Sequence, residues 1–301
     1  MKKLLLILTV LITLLALTSC AEKGELGAKN NPVKMYFVPS MEASTIVTSG
    51  QAIADYLHEA TGYYYEIKVP TSYAAVIEAM GTDQADIGWL ATFAYILANS
   101  KFGAEVAMTT VRNGLKAYRG EFITYAGSGI ETIEDIAGRT VGYTDAASTS
   151  GYIYPSAILK MKGIEPKRTR FVGSHPASVM AVYQKNIDVG CTFWSPPNKE
   201  GVPMDARQKI LETYPDVFEK VKIVDFTDWI PNDTVTFRKE FPADMREKIV
   251  SALEKGFEDP KIKQMLFDLY QIDGLERATD ADYDVVRKTL DTLGMNPSKM
   301  L

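Results

Sequence analysis

Three consecutive hydroxyls, Ser148-Thr149-Ser150, followed by Gly151, stand where a strand turns into a helix. The short apolar run Thr140-Val141-Gly142-Tyr143 lies before them, and Tyr152 to Lys162 reads as a helix stopped by Gly163. The first turn of a helix leaves N–H groups unpaired and carries partial positive charge. Hydroxyls added there make a site for a small tetrahedral oxyanion. An ordinary Ser or Thr cap explains one hydroxyl and not three.

The elements that position this tetrad alternate short strand-like runs with helices. Val33 to Val38 reads as a strand and is followed by a helix from about Ser44 to Ala60, which Thr61-Gly62 stops. Tyr64 to Val69 is the next strand, Tyr73 to Met80 a helix, Ala85 to Leu90 a strand and Phe93 to Ala98 a helix. This rhythm implies a mostly parallel sheet with helices on both faces, and ligands bind beyond the carboxyl ends of such strands. The rhythm changes at the longer strand-like run Tyr118 to Tyr125; a second α/β set runs from Ile133 to about Asp225. The segment Phe241 to Leu293 reads as mainly helical: Ala243 to Lys255, Pro260 to Tyr270 and Ala281 to Leu293. Two α/β sets in a chain of this length imply two lobes.

Met1 to Ser19 reads as a secretion signal, with Lys2 and Lys3 before the apolar stretch Leu4 to Leu17, which is too short for an ordinary membrane span. Its end, Leu17-Thr18-Ser19-Cys20, resembles the bacterial lipoprotein processing box, in which the Cys is acylated. Acylation with more than one chain holds a protein at a membrane surface without spanning it. Ala21 to Asn31 reads as a flexible tether. With Cys20 lipidated, Cys191 is the only other cysteine, so no internal disulfide is expected, and Cys191 reads as a buried apolar residue. Loss of the leader removes two lysines and no acid, leaving 31 basic residues against 38 acidic ones, a net −7. That charge argues against a nucleic-acid partner and makes any anion site local, built from fixed donors.

Five segments in order resemble the periplasmic phosphonate/phosphite-binding proteins of ABC importers. They are Tyr73 to Met80, Asp86-Ile87-Gly88-Trp89, Ser148 to Gly151, Gly173-Ser174-His175, and Ile230-Pro231-Asn232-Asp233-Thr234-Val235. The resemblance implies an α/β type II periplasmic binding protein: two α/β lobes joined by two crossover strands, with the ligand between them. Carried onto this chain, lobe 1 covers about 32–117 plus 227–301 and lobe 2 about 118–226. It implies a solute-binding lipoprotein that captures a small phosphorus oxyanion and delivers it to a two-subunit permease, as a monomer tethered outside the cytoplasm at Cys20. No cofactor and no metal are implied.

The resemblance also assigns roles. Ser148, Thr149 and Ser150 donate to the oxyanion, and Tyr73 offers its hydroxyl from lobe 1. His175 precedes Pro176 at a second helix start; an anion there favours the imidazolium. Asp233 is unfavourable beside an anion unless a proton or a cation lies between them, so it reads as acceptor for a protonated ligand OH, as partner of a ligand amine, or as a turn residue. Relatives that take 2-aminoethylphosphonate carry an acid where this chain has Ala177 and a Tyr where it has Leu90. Trp194-Ser195-Pro196-Pro197 replaces a polar stretch. These departures argue for phosphite, methylphosphonate or a similar small anion. Trp89 and Trp194 read as pocket walls or as core.

An enzyme is not expected, because no Gly-x-Ser-x-Gly elbow or other hydrolase motif is present. Two histidines far apart in sequence and one free cysteine are poor material for a metal site. Two other readings share the fold: a sensory protein presenting its ligand to a receptor kinase, and a binder of an organic solute such as a vitamin precursor, stacked by Trp89, Trp194 and Tyr143.

Overall fold

The computed structural model describes residues 24–292 and 294–299. The leader and the lipidation motif at Cys20 lie outside the described residues.

From the N-terminal side the chain forms β1 (Val33–Phe37), α1 (Ala43–Thr61), β2 (Tyr65–Lys68), α2 (Tyr73–Gly81), β3 (Ile87–Leu90), α3 (Thr92–Phe102) and β4 (Glu105–Val111). The long β5 (Ala117–Tyr125) leads into β6 (Thr140–Tyr143), a π-turn over Thr149–Ile153, α4 (Tyr154–Met161), β7 (Arg168–Phe171), α5 (His175–Tyr183) and β8 (Val189–Trp194). A 3₁₀ turn at Ala206–Ile210 precedes β9 (Val221–Pro231), β10 (Thr234–Phe237), α6 (Ala243–Gly256), α7 (Pro260–Tyr270), β11 (Gly274–Arg277) and α8 (Asp284–Thr292). The turn chemistry sets several of these limits. Gly62 ends α1 in the left-handed region at φ 77°, its N–H donating to the His58 carbonyl. Ser72 and Ser174 cap α2 and α5 by accepting from the N–H groups of Ala75 and Ala177.

Two sheets result, in the orders β11-β4-β10-β3-β1-β2 and β7-β6-β8-β5-β9. Both are mixed, which corrects the expectation of a mostly parallel arrangement. β1 pairs in parallel with β2 and β3, whereas β10 runs antiparallel to β3 and β4, and β11 antiparallel to β4. β6 pairs in parallel with β7 and β8, whereas β5 runs antiparallel to β8 and β9. The reason is topological. The chain leaves the first lobe through β5 and returns through β9, and the strand laid into each sheet on the crossing, β5 in the second and β10 in the first, opposes the βαβ direction.

Each sheet carries its own core, giving two α/β lobes. In the first, Ile46, Ile53 and Leu57 of α1 are buried with Phe37, Ile87 and Phe237. In the second, Phe122, Val141, Val189 and the free Cys191 are buried together. β5 and β9 pair along their length, from Ala117 opposite Pro231 to Tyr125 opposite Val221, with register shifts beside Gly120 and Phe122. Gly120 lets this ribbon approach the second lobe: a Cβ there would stand 2.9 Å from the Ser150 carbonyl oxygen and 2.7 Å from Thr227. Buried Asn232 staples the ribbon to the first lobe. Its backbone N–H donates to the Lys116 carbonyl, and its amide donates to the carbonyls of Thr110 and Leu115, each at 2.8–2.9 Å.

Candidate ligand site between the lobes

The three hydroxyls of the Ser-Thr-Ser tetrad have three different surroundings. Ser148 is the cap: its Oγ accepts from the Gly151 N–H at 3.1 Å, which leaves its own proton to donate. Thr149 faces the other lobe, its Oγ1 accepting from the Phe93 N–H at 2.8 Å in the first turn of α3. Ser150 is bonded to the buried phenol of Tyr118 on β5. The widened turn itself, with the Ile153 N–H reaching back to the Ser148 carbonyl at 3.0 Å, belongs to the π type that recurs at functional sites. Gly151 makes it possible, because a Cβ there would come 1.9 Å from Thr144 Oγ1.

Ser148 and Ser150 open onto a cavity of about 40 Å³ between the lobes. Ser40, Tyr73 and Asp233 line it from the first lobe; His175, Phe193, Ser195 and Lys209 line it from the second. Arg112 and Tyr118 line it near the crossover ribbon. One water needs roughly 10–15 Å³ measured this way, so the space suits about three water-sized bodies, or one small tetrahedral anion. Hydrogen bonds at the rim hold the lobes together. The Tyr73 N–H donates to Asp145 Oδ2 at 3.3 Å, and the His175 N–H to the Ser40 carbonyl at 3.1 Å. The amide of Asn113 donates to the Pro196 carbonyl at 2.8 Å. Thus the starts of α2, α3 and α5 each use a first-turn N–H, which has no partner inside its own helix, to close the cleft.

Four sequence expectations need correction. Trp89 is not a pocket wall. It is buried on β3, its ring stacked on Phe37 at 5.5 Å, because alternation along the strand turns it into the first-lobe core. Thr149 does not line the cavity; its hydroxyl is engaged across the cleft. The imidazolium expected for His175 beside an anion is disfavoured in the ligand-free site: burial, with a further contribution from the Arg112 charge, brings its pKa down to about 3. Its Nδ1 lies 2.8 Å from Thr192 Oγ1, and its ring packs edge-on against Phe193. With Thr192 donating to Nδ1, the neutral ring presents Nε2–H as its donor. Nor do the aromatic residues named for stacking an organic solute surround the cavity. Trp194 packs on Phe226 and Trp229, and Tyr143 on Tyr152 and Phe171.

Asp233 lines the cavity as expected, and the cation it needs comes from the protein. Its Oδ2 accepts from Arg112 Nη2 at 2.7 Å. Sequence reasoning missed Arg112, Lys209 and Ser195. Arg112 follows the apolar strand Glu105–Val111, so a charge at a strand's carboxyl end was the available signal. Ser195 Oγ is buried without a hydrogen-bond partner among the described residues. An unpaired buried hydroxyl is costly, and a ligand oxygen in the cavity would relieve it. No local pattern marks Lys209. Behind the site, Glu121 on β5 pairs in register with Thr192 and is wholly buried, with neither carboxyl oxygen bonded among the described residues. Burial pushes its pKa well above the ordinary carboxyl range, so it is held neutral.

A sequence profile of the ABC transporter, phosphonate, periplasmic substrate-binding protein family matches residues 35–283. The phosphate-import protein PhnD of Mycolicibacterium smegmatis is 25% identical over 284 residues, covering 87% of this chain and 86% of its own. The fold is similar to that of a binding protein component of an ABC phosphonate transporter from Pseudomonas aeruginosa, with TM-score 0.78 and 22% identity over 87% of each chain. It is also similar to PhnD1 from Prochlorococcus marinus in complex with methylphosphonate, with TM-score 0.75 and 16% identity over 88% of this chain and 98% of that one.

Proposed function

The chain belongs to the phosphonate family of periplasmic ABC-transporter substrate-binding proteins, and from that premise we propose that it captures a small phosphorus oxyanion in the cavity between its lobes and delivers it to a permease. One observation carries this reading. A cavity of about 40 Å³ between the lobes is lined by Ser148 and Ser150 at a helix start, with Arg112 and Lys209 as cations. In the proposed complex Ser148, Ser150, Tyr73 and neutral His175 donate to the oxygens, Ser195 adds a further hydroxyl, and Arg112 offsets Asp233. Thr149 contributes by holding the lobes shut.

The proposed lobes are about 32–117 plus 227–301 and 118–226, hinged at the β5–β9 ribbon. The protein works as a monomer outside the cytoplasm, anchored by an acylated Cys20, and performs no catalysis. Cavity size favours phosphite, methylphosphonate or phosphate over an organic solute. Titration calorimetry of the mature protein with phosphite, methylphosphonate, 2-aminoethylphosphonate, phosphate, sulfate and thiamine tests this. Binding of the small phosphorus anions is expected; silence toward all of them refutes the reading.

A further inference from the structure

Besides the phenols of Tyr73 and Tyr118, four ionisable side chains line the cavity: Arg112, Lys209, His175 and Asp233. Asp233 is matched to Arg112 by their ion pair, and His175 is held neutral by burial. Lys209 then carries the net charge. It has no ion-pair partner among the described residues, and it reaches the cavity from the 3₁₀ turn Ala206–Ile210 of the second lobe, opposite Arg112 at the end of β4. The neighbouring Arg207 is paired with Asp205 and lies outside the cavity.

We infer that Lys209 is the charge-selecting residue of this site: with Arg112 it forms a two-cation receptor for the doubly ionised form of a tetrahedral oxyanion, in preference to the monoanion or to a zwitterionic aminoalkyl analogue. The inference rests on the oxyanion reading above and specifies which protonation state the cavity takes. A dianion needs positive charge in excess of any carboxylate beside it. The cavity sets two cations, Arg112 and Lys209, against the one carboxylate of Asp233, which is ion-paired with Arg112, so the excess charge is that of Lys209. A ligand ammonium, by contrast, would meet Lys209 as a like charge.

The position of Lys209 also ties binding to protons. Burial, and next the Arg112 charge, bring its pKa down to about 8 in the empty protein, while Asp268 on α7 acts in the opposite direction. A bound dianion favours the ammonium and raises that value. Below about pH 8 the lysine is charged in both states and affinity is insensitive to it. Above that, binding takes up a proton and affinity falls as pH rises, by at most about tenfold per pH unit.

The test is calorimetry with methylphosphonate and inorganic phosphate from pH 6.5 to 9.5, in pairs of buffers of different ionisation enthalpy, on the mature protein, K209M and K209R. Matching thermal melts establish that the variants fold. The wild type is expected to bind and to take up a proton above pH 8. K209M is expected to lose at least about tenfold in affinity at pH 7.5 and to show no uptake there or above. K209R, charged throughout the range, is expected to keep affinity within about threefold and also to show no uptake. Wild-type binding with unchanged affinity and unchanged uptake in K209M overturns the role of Lys209 and leaves the oxyanion reading standing. Failure of the wild type to bind either anion overturns both.

Discussion

Replacing His175 by Gln is expected to make the protein more resistant to acid. The imidazole is buried against Thr192 and Phe193, and in the folded, ligand-free protein its pKa is about 3 against an ordinary value of 6.5. The unfolded chain therefore binds a proton near pH 6.5 that the folded chain refuses until about pH 3. Stability is complete above pH 6.5 and is lost as pH falls through that window. Each pH unit is worth about 1.4 kcal/mol, so the wild type sheds up to ~5 kcal/mol between pH 7 and pH 3 through this side chain. His175→Gln removes the titrating group and keeps an amide able to hydrogen-bond. Glu121, held neutral, has the opposite dependence: it weakens the fold as pH rises above the ordinary carboxyl range. The informative quantity is therefore the difference between variant and wild type. Urea unfolding at pH 7, 6, 5 and 4 without ligand measures it, and the variant should gain on the wild type by ~1 kcal/mol per pH unit below 6.5. A difference independent of pH, or a His175 ring resonance that titrates near 6.5 in NMR spectra, would falsify the assignment of a neutral imidazole.

Thr149→Val should remove the bond to the Phe93 N–H and leave that donor unpaired, costing the closed form ~1–2 kcal/mol; calorimetry should show oxyanion affinity falling roughly 5- to 30-fold with little change in melting temperature, and undiminished affinity sinks the latch. Gly151→Ala drives a methyl group into Thr144 and should destabilise the fold by about 2–3 kcal/mol in chemical denaturation, partly recovered by adding Thr144→Ala. Asp233→Asn leaves Arg112 without its carboxylate. Since Asp233 is 27% exposed, the stability loss should be ~1–2 kcal/mol, below the ~3–5 of a fully buried pair. Dianion affinity should rise, and a fall in affinity refutes the view that Arg112 is neutralised by it.

Much of the scaffold was legible because local physics dictates it. Periodicity placed β1, α1 and α2 within a residue or two, and Gly62 marked the end of α1 through its left-handed φ. The tetrad was legible as a helix start, since Ser148 caps it. Its division of labour was not, because whether a hydroxyl meets a ligand or another helix depends on what lies across the cleft. Trp89 was ambiguous for a related reason: strand alternation gives two faces without saying which one meets the ligand. Arg112, Lys209 and Asp233 come from three distant stretches and meet only through the β5–β9 crossover. The mixed character of the sheets has the same origin, since the return path of the chain leaves no mark in any single window of sequence.

The rim of the cleft separates motion from chemistry. The donors that shut it at Tyr73, Phe93 and His175 are main-chain N–H groups at helix starts; Ser40 answers with its main-chain carbonyl, Asp145 and Thr149 with side-chain oxygens, and the Asn113 amide donates to the Pro196 carbonyl. The cavity-lining residues among them, Ser40, Tyr73 and His175, take part through the main chain, and Asp145, Thr149 and Asn113 lie outside the lining. The lining of the cavity can therefore be rewritten for another solute while the closing stroke is inherited almost intact. Retargeting this scaffold begins at Ser195, Phe193 and Lys209, where a change alters what is recognised, and leaves the backbone of the three helix starts to go on converting capture into closure.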